Sequence, residues 1–346
     1  MKKGVFMCVF VLLLFGICSG CGNEGNMEKG ETRVITDMRG MEVEVPEKIE
    51  SYVVYWVGAT DIAAMMDGFE GLTGYPETSA GFSFLNKMYP EIKNCRVLPK
   101  DDISAEEILS CGADVVFVRY SDQQELFDNL AEAGISVVDV EFDDYETMMD
   151  AVDVVASVFG TKDAYEKAEK FRTYTEKTIK EVTDITAMIK REERPTILTI
   201  RDADTLRAYG PGRYAGRWVD YIGAVSCLDL DNPNGYVNLT EEQLLEYDPS
   251  YIVFALEKQK DIFCEKEISQ QLSCVKNGTV YNSPVVLNSW SNQGAESVLM
   301  LKWGLYVMHE EECDFDMEQE MKDFYKKFYE YEFTDEEVEE ILKEDK

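Results

Sequence analysis

Short apolar runs and stretches of helical period alternate along residues 32–160. Strand-like runs fall at 52–55, 115–118 and 137–140. Apolar residues recur every three or four positions at 59–66, 106–111, 123–133 and 145–159, which predicts helices. Alternation of this kind predicts a parallel, doubly wound sheet. The texture then changes. Residues 162–193 hold neither Gly nor Pro, and Tyr165, Ala168, Phe171, Thr175, Ile179, Val182, Ile185 and Ile189 recur at helical spacing. The pattern predicts one helix of about 45–50 Å, ended by Pro195. Alternation resumes with strands expected at 196–200, 251–254 and 279–286 and helices at 212–222, 241–247 and 295–309. Two acidic amphipathic helices, at 317–331 and 335–343, follow. The fold class expected is α/β, with two doubly wound lobes joined by one long helix.

The lobes share a segment. An acid, an apolar pair, a turn and a strand fall in register when Glu106 is laid on Glu242. Any short helix before a strand shows part of this, so an internal repeat and a coincidence both stay open.

Residues 1–20 read differently. Lys2 and Lys3 precede an apolar run too short to span a membrane comfortably, and Ser19-Gly20 precede Cys21. This is the pattern of a secretory signal. It resembles the lipobox of bacterial lipoproteins, in which the cysteine takes a diacylglycerol and becomes the new N-terminus. Cys18 stands where that box usually has Leu. The resemblance implies a chain anchored through Cys21 by acyl chains. A tether rich in Gly, Asn and Glu runs to residue 31. The organisation expected is a signal peptide over 1–20, anchor and tether over 21–31, an N-terminal lobe over 32–161, a bridging helix over 162–193 and a C-terminal lobe over 194–346.

The formal net charge is −34, and loss of a leader with two lysines and no acid makes it more negative. Phosphates would be repelled, so nucleic acid is excluded as a partner. Anionic lipid is disfavoured likewise, leaving the acyl chains as the contact with the bilayer. The apolar share of 45% suits packed cores. Beyond Cys21 stand Cys95, Cys111, Cys227, Cys264, Cys274 and Cys313. They allow fifteen pairings and show no Cys-x-x-Cys metal spacing. Disulfides and free thiols both remain open, and Cys111 reads as core.

At this point the chain resembles a known family, the substrate-binding proteins of ABC importers for ferric siderophores, haem and cobalamin. Residues 36–46, Thr-Asp-Met-Arg-Gly-Met-Glu-Val-Glu-Val-Pro, look like that family's opening hairpin. Ser51-Tyr52-Val53-Val54 looks like its first strand, and Gly58-Ala59-Thr60-Asp61 like the start of its first helix. The paired acid-helix segments, the single bridging helix and the aromatic-acidic end from Phe324 to Glu337 also fit. The resemblance implies a ligand held between the lobes with small closure, and an ABC permease and its ATPase as partners. It also implies that Glu106 and Glu242 dock on basic residues of the permease. The protein is expected to be monomeric, on the extracytoplasmic face of the bacterial cell membrane.

A ligand cleft is expected where loops leave the carboxyl ends of strands. In the first lobe those loops hold Tyr55, Trp56, Tyr75, Arg119, Tyr120 and Glu141. In the second they hold Arg201, Tyr209, Arg213, Tyr214, Tyr236, Asn288 and Trp290. Arg201, Arg207, Arg213 and Arg217 are four of the eleven arginines. Such a cluster either faces an anion, since Arg forks onto carboxylate or catecholate oxygens, or pairs with the many surface acids. Tyr and Trp faces suit a large flat ligand. Trp218 and Trp303 sit among apolar residues and read as core. The one histidine, His309, reads as a solvated residue at a helix C-terminus, so a bare metal ion is not expected. Tyr209-Gly210-Pro211-Gly212 lacks the Lys-Ser/Thr of a phosphate loop. No catalytic set can be built, so no enzyme activity and no cofactor is expected. The expected function is delivery of an iron complex, a ferric siderophore, to the importer; the alternatives are a haem or corrinoid (cobalamin) binding protein of the same fold, or an anchored ligand sensor without transport.

Overall fold

The computed structural model describes residues 31–100, 103–229 and 233–343. Cys21 and the signal and tether residues through 30 lie outside them. From Thr32 on the chain forms one compact unit. An antiparallel hairpin, β1 (Thr32–Thr36) and β2 (Glu42–Pro46), opens it. Asp37 holds the turn, accepting from the backbone N–H of Arg39 and of Met41, and Gly40 takes φ +73° there.

The first sheet contains β3 (Tyr52–Val54), β4 (Leu72–Pro76), β5 (Arg96–Leu98), β6 (Val115–Val118) and β7 (Ser136–Asp139). All pairs are parallel, in the order β5-β4-β3-β6-β7. The chain winds outward from β3 to β5, then returns to the other side of β3. The switch point therefore lies between β3 and β6, where a ligand crevice is expected at the carboxyl ends.

The second sheet is built on β8 (Thr196–Ile200). One edge of β8 pairs with β12 (Tyr251–Phe254), which pairs with β13 (Val280–Asn282), all parallel. β10 (Val225–Ser226) also runs parallel to β8. β9 (Arg207–Tyr209) pairs antiparallel with the end of β8 and with β11 (Tyr236–Asn238). This sheet is therefore mixed, where a parallel one was expected. The antiparallel strands hold three residues each, too short to show an alternating pattern.

The bridging helix spans Lys162–Thr186, about 37 Å at 1.5 Å per residue, seven residues shorter than expected. Thr161 caps its start, accepting from Ala164 N–H. At its end the N–H groups of Met188 and Ile189 bond to carbonyls three residues back, and Thr186 Oγ1 donates to Tyr221 O. The tightened turn swings Ile189 onto the second lobe beside Gly223. No Gly or Pro marks the stop.

Ala168, Phe171, Thr175, Thr178 and Val182 of this helix are buried, whereas Tyr165 is exposed. Against them pack the helices Val298–Met308 and Met317–Tyr329, with Phe171 on Phe328 and Tyr174 on Phe324. One apolar core thus runs through both lobes. Gly304 lets Val298–Met308 meet Trp218 closely, since a Cβ there would lie 2.8 Å from the ring. The final helix, Asp335–Lys343, returns to the first lobe. There Phe333 meets Phe84, and Glu337 pairs with Lys87 at 2.6 Å. No described helix is long and apolar enough to cross a membrane.

Candidate functional site

A cleft of about 270 Å³ opens between the lobes. Its first-lobe wall carries Arg119, which follows β6, and Asp143. The opposite wall carries Arg213, Arg217, Tyr209 and Tyr236, and Asn292 and Gln293 complete the lining.

The second wall is shaped by Tyr209-Gly210-Pro211-Gly212. Gly210 N–H donates to Gly235 O and Gly212 N–H to Pro233 O. A Cβ on Gly210 would lie 2.2 Å from Pro233 O, so only glycine admits this approach. The loop ends in the helix Tyr214–Tyr221, whose N-cap Arg213 makes no side-chain cap bond. The N–H groups of Gly216 and Arg217 turn back to Arg213 O. Those of Tyr214 and Ala215, both in the cleft lining, donate to nothing among the described residues. Unspent donors and the positive end of the helix dipole favour an anion there.

The arginines strengthen that field. Arg39, Arg96, Arg119 and Arg172 pair with carboxylates. Arg201, Arg207, Arg213 and Arg217 make no ion pair among the described residues. Arg213 donates to Asn234 O at 3.0 Å, and both Arg207 and Arg213 lie about 4 Å from the Tyr236 ring centroid. Arg217 Nε is buried without a hydrogen-bond partner among the described residues. Tyr209 lies 5.3 Å from Tyr236, and burial pushes its hydroxyl up to about 12. Arg119 differs, because Glu141 Oε1 lies 2.9 Å from its Nε. Burial opposes the Arg119 charge, and the Glu141 carboxylate holds it in place.

Of the residues expected in the cleft, Arg119, Tyr209, Arg213, Tyr214 and Tyr236 line it. The others lie elsewhere, which corrects the expectation. Side-chain parity along β3 turns Tyr55 to the outer face of the sheet, where its ring meets Phe127 and its hydroxyl donates to Lys100 O. Tyr120 meets the same Phe127 and donates to Asp128. Tyr75 is buried in the first lobe. Trp56 is buried against Phe142, with Arg119 5.9 Å from its ring. Arg201 is exposed on the tight connection from β8 to β9, where its N–H donates to Arg207 O.

Asn288 and Trp290 belong to a loop that runs inward, with residues 282–291 all buried. Asn288 Nδ2 donates to Gln293 O, and Trp290 Nε1 donates to Tyr325 OH. A buried loop needs internal partners for its backbone. Glu296 supplies them, accepting from the N–H groups of Leu287 and Asn288 and from Tyr325 OH. Asp61 of the first-lobe helix Thr60–Asp67 in turn accepts from Glu296 N–H at 3.0 Å. Both carboxyls are fully buried. Burial pushes Asp61 up to about 7 and, with the Asp61 charge beside it, pushes Glu296 up strongly. The pair fixes the turn that carries Gln293 to the cleft. The available signal was one acid inside the apolar run Val298–Leu305 and its lead-in Gly294-Ala295-Glu296.

Trp218 and Trp303 are core as expected, and Cys111 is half-buried beside Gly74. His309 is not solvated. It is 6% exposed, its Nε2 has no partner among the described residues, and burial lowers its pKa. The six described cysteines are all free thiols, and no group of three or more His, Cys, Asp or Glu among the described residues is placed to hold a metal ion.

Glu106 and Glu242 are exposed in the first turns of the helices Ala105–Leu109 and Glu241–Tyr247. Both helices open with a capping box, Ser104 with Glu107 and Thr240 with Gln243. They lead into β6 and β12, each paired in parallel with the first strand of its lobe's sheet.

Comparison with known proteins gives the same picture. The family described as periplasmic binding protein matches residues 53–286. The molybdate-binding protein MolA of Haemophilus influenzae is 22% identical over 329 residues, covering 86% of this chain and 91% of MolA. The MolA structure bound to molybdate superposes with a TM-score of 0.77 at 19% identity, covering 87% of this chain and 99% of that one. A periplasmic solute binding protein from Veillonella parvula gives 0.79 at 21% identity, covering 90% of this chain and 97% of that one. With two α/β lobes, a bridging helix and a cleft between them, the chain belongs to the periplasmic binding protein family and is a substrate-binding protein of an ABC importer.

Proposed function

We propose that this protein captures a small anion in the interlobe cleft and hands it to the permease of an ABC importer. The observation that carries the reading is the second-lobe wall. Among the described residues Arg213 and Arg217 make no ion pair, in a chain of net charge −34, and stand at a helix start with two N–H donors unspent. Acids are abundant, yet no carboxylate forms an ion pair with either guanidinium among the described residues, although Asp144 feels the Arg217 charge. The volume bears on size. Pockets for drug-sized ligands hold roughly 300–1,000 Å³, and this cleft lies just below that range. A mineral oxyanion fits such room, and the relative MolA is named for molybdate. A compact ferric chelate is the second reading. It is favoured by the Tyr209–Tyr236 pair, an aromatic surface beside the guanidiniums. Native mass spectrometry of the protein with molybdate, ferric citrate, haem and cobalamin tests this. An anion is retained, and retention falls as salt rises.

We place the protein on the extracytoplasmic face of the membrane, held as a monomer by lipid on Cys21. Cys21→Ala should move it from the detergent phase to the aqueous phase or leave the precursor uncleaved. Unchanged partitioning contradicts the anchor. We further propose that Glu106 and Glu242 dock on the permease. A carboxylate in a helix's first turn also suits the dipole, worth about 0.3–1 kcal/mol. Glu106→Ala with Glu242→Ala should therefore leave ligand affinity and folding nearly intact and abolish uptake. Normal uptake by a well-expressed double variant contradicts docking.

A further inference from the structure

The two walls of the cleft carry opposite charge. On one stand Arg213 and Arg217, with no carboxylate partner among the described residues. On the other stands Asp143, exposed, whose carboxylate makes no ion pair or hydrogen bond among the described residues. Its backbone N–H, by contrast, is held by Thr147 Oγ1 at 3.2 Å. Arg119 beside it is already matched by Glu141. These free groups share one cleft and yet do not reach each other. The Asp143 charge favours that of Arg119 without an ion pair between them among the described residues, so its carboxylate oxygens stay available to a ligand in the cleft.

We propose that the ligand is an anion bearing its own hydroxyl donor, with its charged oxygens toward Arg213 and Arg217 and its hydroxyl toward Asp143. This rests on the anion reading above and narrows it. A carboxylate is an acceptor only. It rewards an oxyanion that retains a proton, or a hydroxy-carboxylate. It repels a fully deprotonated oxyanion of equal charge, so Asp143 selects among anions by exclusion as much as by attraction. The loop carrying Asp143 is set by its neighbours. Asp144 caps the helix Tyr145–Phe159, and Phe142 O accepts from Gln293 Nε2 across the lobes at 2.6 Å. Asp143 thus sits on a fixed backbone beside the junction of the lobes.

Two matched pairs of probes test this on the detergent-solubilised full chain by titration calorimetry. Hydrogen phosphate and sulfate differ by a proton, and citrate and tricarballylate differ by a hydroxyl. A mineral ligand shows its preference in the first pair and an organic acid in the second. The hydroxyl-bearing member of one pair should bind about tenfold tighter, the worth of one hydrogen bond to a charged group. Asp143→Asn should bring that ratio near unity and strengthen binding of sulfate or molybdate. Arg213→Ala should weaken both members of the pair. Equal binding within both pairs, or a ratio unmoved by Asp143→Asn, overturns the inference. Should molybdate bind through Arg213 while neither pair shows a preference, the anion reading stands and this inference falls. Should no anion respond to Arg213→Ala, both fall.

Discussion

Glu296→Ala should destabilise the protein by about 3–5 kcal/mol, on the order of 10 °C in Tm. The side chain accepts from two backbone N–H groups and from Tyr325 OH, all buried. Removing it orphans three donors at about 1–3 kcal/mol each. Relief of the neighbouring Asp61 charge offsets part of that cost. Glu296→Gln should behave differently, because the amide keeps an acceptor for the backbone and offers a donor to Tyr325. The two variants separate the hydrogen-bonding role from the charge.

The charge shows itself through pH. Asp61 and Glu296 are pushed up by burial, so the native state keeps protons that the unfolded chain has lost. Stability from this pair is fully present below the ordinary carboxylate range, about pH 4, and is lost as pH rises through about 7. Asp144, Asp202 and Asp248 act in the opposite sense. Their pKa values are lowered by hydrogen bonds, chiefly from Thr147, Thr205 and Ser273, and their stabilisation is lost only as pH falls below about 4. Thermal unfolding should therefore be most resistant near pH 5 and weaker at pH 8, and Glu296→Gln should flatten the decline. An equal decline in that variant would assign the effect to the general acidity of the chain.

Arg213→Ala and Arg217→Ala should each weaken ligand binding by roughly tenfold to a hundredfold, since a hydrogen bond to a charged group is worth about 1.5–3 kcal/mol. The double variant should lose more than either single variant, with less than full additivity because both groups face one ligand. Folding should hardly change. Among the described residues Arg213 has one side-chain hydrogen bond, to Asn234 O, and neither residue has an ion pair to lose. Arg201→Ala, on an exposed residue outside the lining, should move affinity little and act mainly on the rate of capture through long-range attraction.

The lobes were legible in the sequence because their helices and central strands carry strong periodicity. The helices Tyr145–Phe159, Glu241–Tyr247 and Asp335–Lys343 begin and end where the pattern does. β9, β10 and β11 hold two or three residues each, and no pattern survives at that length. The end of the bridging helix was hidden because hydroxyls and i−3 bonds stop it rather than Gly or Pro. For the cleft, residues placed directly after a strand were a mixed guide. Arg119 reaches the cleft, whereas side-chain parity turns Tyr55 outward. Trp290 looked exposed because loops usually are. A buried acid three-dimensionally near but distant along the chain from Asp61 reverses that. Asp143 showed no signal at all, being one acid among 68 Asp and Glu.

The Arg213 and Arg217 guanidiniums of the second lobe should hold an anion between the lobes. Calorimetric titration of molybdate and ferric citrate, with cobalamin alongside, into the wild type and the Arg213→Ala–Arg217→Ala variant tests it most directly. One of the two anions should bind the wild type, added salt should weaken it, and the variant should lose more than about tenfold at unchanged Tm. Tight binding of cobalamin, or anion binding of equal strength in both proteins, would contradict it.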